Sequence, residues 1–271
     1  MSNGRKKTTA SSREIALTVR GVSKTFCSQS GEKVSALEGL DLTVRRGEFV
    51  VLIGPTGCGK STLLNMLAGL AKPDRGEINF NTTPSSDDNI AYVFQHYTLF
   101  PWRTLLNNVS FGLQMRGVAR RERKERARAI LDQVGLSDFE NAFPHETSGG
   151  MRQRAAIAQA LAFNPEFLLM DEPFGALDDA TRTELQRLLV RLCQASGAAV
   201  LFVTHNIDEA VMTADRILVF SERPGRIIEE VSVPLPRPRN PLDPRFMELF
   251  VRIRNAVHAG SNAPTPYRDS G

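Results

Sequence analysis

Cysteine is scarce in this chain. Cys27, Cys58 and Cys193 are the only three in 271 residues. An odd, scattered set supports neither a disulfide framework nor a zinc site, so a reducing, cytosolic compartment is expected. Long apolar runs are missing too. A bilayer span takes about 18–20 consecutive apolar residues, whereas the longest runs here, residues 49–53 and 198–203, have the length of strands. Arg5, Lys6 and Lys7 make the start basic, but no apolar stretch follows them, so no secretory signal is expected. Charge of one sign is not in large excess. Lys plus Arg number 34 and Asp plus Glu 30, a net +4 that gives no ground for a nucleic-acid partner. Apolar residues make up 41%, enough for a sizeable core.

The patterning that is present reads as α/β. Residues 15, 17 and 19 (Ile, Leu, Val) and 40, 42 and 44 (Leu, Leu, Val) alternate with polar neighbours, as half-buried antiparallel strands do. After Glu48, residues 49–53 are continuously apolar instead, as are 90–94, 167–170 and 198–203, in the manner of strands covered on both faces. Helical stripes lie between several of them. Leu185, Leu188, Leu189 and Leu192 form one, stopped by Gly197. Strands alternating with helices predict a mainly parallel sheet. Residues 97–163 hold no good strand. Ala127, Ile130, Leu131 and Val134 make an apolar stripe capped by Gly135, and residues 155–163 are apolar nearly all round. This stretch reads as a helical insertion. The expected division is a main domain over residues 14–234 and an extension over 235–271. In the extension, Asp243 and Pro244 start a helix with a stripe of Phe246, Leu249, Phe250, Ile253 and Val257. The first 13 residues and the last ten read as frayed ends.

Two motifs carry chemistry. Gly54-Pro55-Thr56-Gly57-Cys58-Gly59-Lys60-Ser61 fits G-x-x-x-x-G-K-[ST], preceded by a buried strand and followed by a helix. The glycines let backbone N–H groups turn inward onto phosphate oxygens, and the helix adds its positive N-terminal end. Lys60 can reach the β- and γ-phosphates, Ser61 can ligate Mg²⁺, and Thr62 can add a contact near the α-phosphate. The strand at 167–170 runs into Asp171 and Glu172. A carboxylate at that end is placed for Mg²⁺, and Glu172 for orienting or deprotonating an attacking water. A GTPase would need Asn-Lys-x-Asp. Ala71-Lys72-Pro73-Asp74 lacks the Asn and comes too soon.

The set of motifs resembles the ATP-binding cassette (ABC) ATPases. Ser148-Gly149-Gly150-Met151-Arg152-Gln153-Arg154 is similar to the family's signature, and Gly175-Ala176-Leu177-Asp178 to its D-loop. Gln95 stands as the Q-loop glutamine, His205 as the switch histidine, and Phe26 as the aromatic that stacks on adenine. All occur in family order over residues 15 to about 230. The resemblance implies that residues 14–234 are an ABC ATPase domain. Its fold would be a P-loop NTPase core with a mainly parallel sheet, an N-terminal antiparallel β subdomain and an inserted α-helical subdomain. It implies ATP and Mg²⁺ as cofactors, with Ser61, Gln95 and Asp171 as metal ligands and Glu172, His205 and Gln95 as catalytic groups. It also implies head-to-tail pairing of two copies, in which Ser148, Gly149, Gly150 and Asp178 close on the nucleotide held by the other copy. Two positions depart from the family: Thr147 stands for the usual Leu and Met151 for the usual Gln, which puts the contacts near the partner's ribose in question. His96, His145 and His258 read as ordinary structural histidines.

The variant signature, the segment Phe94-Gln95-His96-Tyr97-Thr98-Leu99-Phe100-Pro101-Trp102 and the ending Leu235-Pro236-Arg237-Pro238-Arg239 resemble one importer branch, that for nitrate, sulfonates and taurine. The resemblance then implies integral membrane permease subunits docking near Gln95 to Leu105, on an apolar surface with Leu99, Phe100, Pro101, Trp102 and Leu105. An extracytoplasmic solute-binding protein would act indirectly, and the chain would sit peripherally on the cytoplasmic face of the inner membrane. The basic stretch from Arg116 to Arg128 reads as a solvated helix face. Soluble cassette ATPases of DNA repair or translation share the nucleotide chemistry. They usually carry long coiled coils or two cassettes, and this chain has one cassette and no sustained heptads.

Overall fold

A computed structural model describes residues 13–27, 31–81, 89–95, 98–175 and 177–261. Two long strands come first, β1 (Ile15–Cys27) and β2 (Lys33–Arg45), followed by β3 (Phe49–Ile53) and helix α1 (Lys60–Leu67). Next are β4 (Arg75–Phe80) and β5 (Ile90–Val93). Helices follow: α2 (Leu105–Val109), α3 (Phe111–Met115), α4 (Arg120–Gln133) and α5 (Gly149–Leu161). The alternation then resumes with β6 (Phe167–Asp171), α6 (Asp179–Ser196), β7 (Ala199–Thr204), α7 (Ile207–Thr213), β8 (Arg216–Phe220), β9 (Ile227–Ser232) and α8 (Pro244–Ser261).

The strands form two sheets. One is antiparallel, ordered β2-β1-β4; the other has six strands ordered β5-β6-β7-β3-β8-β9. All pairs in the second are parallel except β8 with β9. Side chains alternate across a strand, and β3 shows the result. Phe49, Val51 and Ile53 join a core formed with α5, α6, α7, α8 and the inserted helices. Val50 and Leu52 join a second core formed with α1 and the antiparallel sheet. Covering on both faces accounts for the unbroken apolar runs.

Between residues 98 and 166 the described chain has helices and no strand, as the sequence predicts for an insertion. Ala127, Leu131 and Val134 are buried, and Gly135 ends the turn after α4 at φ 69°. The last helix packs on the main core: Phe246 and Ile253 are fully buried among residues of the sheet's helical face. The arginines of the Leu235–Arg239 ending anchor the chain leading to it. Buried Arg239 donates to the carbonyls of Leu235, Val211 and Val233, and Arg237 pairs with Asp215 at 2.7 Å. Burial and the neighbouring Arg237 push the Arg239 guanidinium down to about 10. Of the ends expected to fray, residues 1–12 and 262–271 lie outside the described residues. Arg13 is placed, and its guanidinium donates to the Gly47 carbonyl at 2.7 Å.

Candidate nucleotide-binding site

The functional side chains gather at the C-terminal ends of the parallel strands, where α/β sheets bind ligands. The loop after β3 holds Gly54 to Gly59 and leads into α1. Gly59, the residue before the helix, has φ 106°, and a Cβ there would meet the Ala36 carbonyl oxygen at 2.7 Å. Only glycine fits this crowded, left-handed corner. Cys58 is buried, Pro55 half-buried, and Thr56 and Gly57 exposed; Ser61 and Thr62 open the helix.

Lys60 is 5% exposed, and its ammonium donates to the carbonyls of Gly54 and Pro55, both at 2.8 Å. Among the described residues no carboxylate comes within ion-pair distance of it. A buried ammonium held by neutral oxygens lacks a counter-charge in contact, and a phosphate chain supplies one. Ser61 Oγ lies 3.0 Å from Asp171 Oδ1. Two hard oxygen donors side by side suit Mg²⁺, which takes one or two protein ligands and completes its shell from phosphates and water. Burial raises the Asp171 pKa against the opposing hydrogen bond from Ser61. A divalent cation there favours the ionised form.

Glu172 follows at φ 44°, a left-handed conformation that costs a non-glycine residue energy and clusters at functional sites. Its N–H donates to the Val203 carbonyl on β7, and its Oε2 lies 3.1 Å from His205 Nδ1. His205 comes directly after β7. The pair lines a pocket of about 220 Å³ with Gly175, Arg182, Thr204 and Glu209. Glu209 is buried, accepts from the Thr204 hydroxyl at 2.6 Å, and faces Arg182 Nε at 3.5 Å. Sequence reading does not find Thr204 and Glu209, because neither belongs to a motif.

Phe26 is 46% exposed on β1, with Lys24 Nζ 5.6 Å from its ring centre. Its face is available for stacking. Gln95 is exposed one residue past Phe94, at the end of β5. The Ser148 hydroxyl caps α5 by accepting from the Met151 N–H. Gly149 and Gly150 form the first turn, and a Cβ on Gly150 would lie 2.8 Å from Thr181 Cγ2. The signature helix thus meets the start of α6, which Asp178 caps by accepting from the Thr181 N–H. The Thr147 hydroxyl donates to the Pro144 carbonyl, and Met151 packs against the core. Ala176, His96 and Tyr97 lie outside the described residues.

The apolar segment after Gln95 divides. Leu99 and Leu105 are buried in the core that the insertion shares with the main sheet, so they do not belong to an accessible surface. Trp102 is 71% exposed, Pro101 exposed and Phe100 half-buried. Asn108, fully buried, braces this loop: its amide exchanges hydrogen bonds with the N–H and C=O of Phe100 and also reaches the Arg103 and Thr104 carbonyls. Beside the loop a groove of about 300 Å³ runs between β5 and the insertion, lined by Phe94, Thr98, Phe100, Phe111, Gln159 and Phe163 among others.

A phosphate loop, a strand-end Asp-Glu pair, a histidine on the neighbouring strand and a serine-capped glycine turn, on this sheet, define an ATPase of the ATP-binding cassette type. The ABC transporter family pattern matches residues 37–175, and the chain belongs to that family. It is 45% identical to an uncharacterized ABC transporter ATP-binding protein of Methanocaldococcus jannaschii, over 90% of this chain and 92% of the other. It is 43% identical to a taurine import ATP-binding protein of Rhizobium johnstonii, over 86% and 93%. With a nitrate import ATP-binding protein of Synechocystis it shares 44%, over 81% and 83%. Among solved structures it is similar to a dimeric ATP-binding cassette in a post-hydrolysis state bound to ADP and phosphate. The TM-score is 0.70 and the identity 35%, over 80% of this chain and 98% of that one. The chain is therefore an ABC-type ATPase. No described helix is long and apolar enough to cross a membrane.

Proposed function

We propose that this chain is the ATP-hydrolysing subunit of an importer for nitrate, a sulfonate, taurine or a similar small solute. The nitrate and taurine import proteins among its relatives support this reading over a role in DNA repair or translation. The observation that carries the chemistry is the Glu172–His205 pair at 3.1 Å, beside the Ser61–Asp171 pair at 3.0 Å.

Phe26 stacks on the adenine. The loop from Gly54 to Gly59 wraps the phosphates with its N–H groups, Lys60 turns its ammonium from the loop carbonyls to the β- and γ-phosphates, and Thr62 adds a contact near the α-phosphate. Ser61, Asp171 and Gln95 hold Mg²⁺. When bound, Mg²⁺ offsets the charge that gathers on the phosphate oxygens. Glu172 orients the attacking water and takes its proton, and His205 holds the carboxylate in line and contacts the γ-phosphate. Ser148, Gly149 and Gly150 present the positive end of α5 to the γ-phosphate on a second copy of the chain, and Asp178 lies at that junction. Two copies thus sandwich two ATP molecules head to tail.

The permease docks in the groove beside Trp102 and Phe100, next to Gln95. Occupancy at the γ-phosphate then moves the docking surface. The chain sits peripherally at the cytoplasmic face of the membrane, and a solute-binding protein acts on the far side. The test is uptake of labelled nitrate and taurine by cells lacking this chain. Wild type restores uptake of one of them and Lys60→Ala does not. Restoration by Lys60→Ala contradicts the proposal.

A further inference from the structure

A cavity of about 990 Å³ lies between α6 and the Arg237–Asn240 stretch that leads to α8. It shares no lining residue with the Glu172–His205 pocket. Its size suits a drug-sized molecule. On α6 the lining residues Thr183, Gln186, Arg187, Val190, Arg191 and Gln194 recur at helical spacing, so one stripe of the helix borders the cavity. Val190 and, from α7, Met212 give it apolar surface.

The polar groups in this lining have needs that the chain does not meet. Gln186 is 5% exposed, yet its amide makes no hydrogen bond to the described residues. A buried amide left without a partner destabilises the fold. Arg187 and Arg191 stand one turn apart on the exposed side of α6, and among the described residues neither has an ion pair or a hydrogen bond. Like charges at i, i+4 repel. On the other wall, Arg237 donates through its Nη atoms to Asp215 and to the Thr213 carbonyl, while its Nε is buried without a partner. Arg239 lies buried beside it. The lining thus has four arginines and a single acid, Glu184, which Arg154 already holds at 2.7 Å.

We propose that this cavity binds an amphipathic organic anion. Its apolar body lies on Val190 and Met212, and its carboxylate, sulfonate or phosphate group meets Arg187, Arg191 and the Gln186 amide. Guanidinium groups hold such oxyanions through charge-assisted, often paired hydrogen bonds. One bound anion relieves the repulsion between the two arginines and gives the buried amide an acceptor for its NH₂.

The probe is 8-anilinonaphthalene-1-sulfonate, an aromatic body with one sulfonate, titrated by fluorescence into the full chain with saturating ADP present. N-phenyl-1-naphthylamine, the same body without the sulfonate, is the uncharged control. The sulfonate should bind about tenfold or more tighter than the control, and the Arg187→Glu, Arg191→Glu double variant should remove that advantage without changing the control's affinity. Gln186→Leu separates a ligand contact from a packing role. Without probe it should melt at or above the wild-type temperature, because an apolar group of similar size replaces an unpaired amide. It should also bind the sulfonate several-fold more weakly. Equal affinity for the two probes, or a sulfonate affinity unmoved by the double arginine variant, overturns the inference. So does a Gln186→Leu protein that melts lower yet binds the sulfonate as wild type does, since that marks a packing role.

Discussion

At the scale of single residues, the site is built from conformations and burials that only a ligand rewards. Glu172 holds a positive φ, and Lys60 buries a charge with no carboxylate in contact among the described residues. Lys60→Ala removes the charged donor proposed for the phosphates. Hydrogen bonds to charged groups are worth about 1.5–3 kcal/mol each, so ATP affinity should fall by roughly 10- to 100-fold or more in equilibrium binding. Glu172→Gln keeps shape and hydrogen-bonding reach but not the base. Nucleotide binding should survive while turnover falls by about 10²–10⁴-fold, the usual contribution of a positioned proton acceptor. His205→Ala should also lower kcat, and weaken ATP binding less than Lys60→Ala does, because His205 meets Glu172 rather than the loop. Turnover close to wild type in either variant counts against the pair.

At the scale of elements, α8 and the strap leading to it form part of the ATPase core. Phe246 is fully buried, and truncating a buried Phe costs about 3–5 kcal/mol. Phe246→Ala should therefore lower the melting temperature by roughly 10 °C, taking about 2–4 °C per kcal/mol for a chain of this size. ATP affinity measured below the transition should not change. A melting temperature equal to wild type means that α8 is not docked in solution. The same scale shows what the sequence discloses. The buried strands are legible because β3, β6 and β7 are covered on both faces, and the helices around them because capping and stripes are local. The alternating stretches at 15–19 and 40–44 likewise disclose β1 and β2. β4 escapes because its residues, Arg75 to Phe80, lie exposed or half-buried along the edge of the small sheet. β8, β9 and α7 are short and follow one another closely without a distinctive break. The site motifs are legible because phosphate chemistry demands fixed residue types at fixed spacing. Asn108, Thr204 and Glu209 are not, since their partners are set by tertiary contact alone. The division of the Trp102 segment into buried leucines and an exposed aromatic rim depends on packing in the same way.

At the scale of the whole molecule, one chain carries a phosphate-loop motif and also a second serine-capped helix start at Ser148–Gly150, for which we propose an anion. A protomer that binds its phosphates through the first has no use for the second unless another copy brings a nucleotide to it. The close approach of Gly150 to Thr181 sets that helix end against the start of α6, so the signature turn and Asp178 lie side by side. The most direct measurement is the mass of the Glu172→Gln protein in sedimentation equilibrium, with ATP and Mg²⁺ and without. The account predicts twice the monomer mass with nucleotide, monomer without it, and monomer in both conditions once Ser148→Arg is added, with nucleotide binding by the single chain retained. A monomer in saturating nucleotide, or a dimer indifferent to Ser148→Arg, contradicts it.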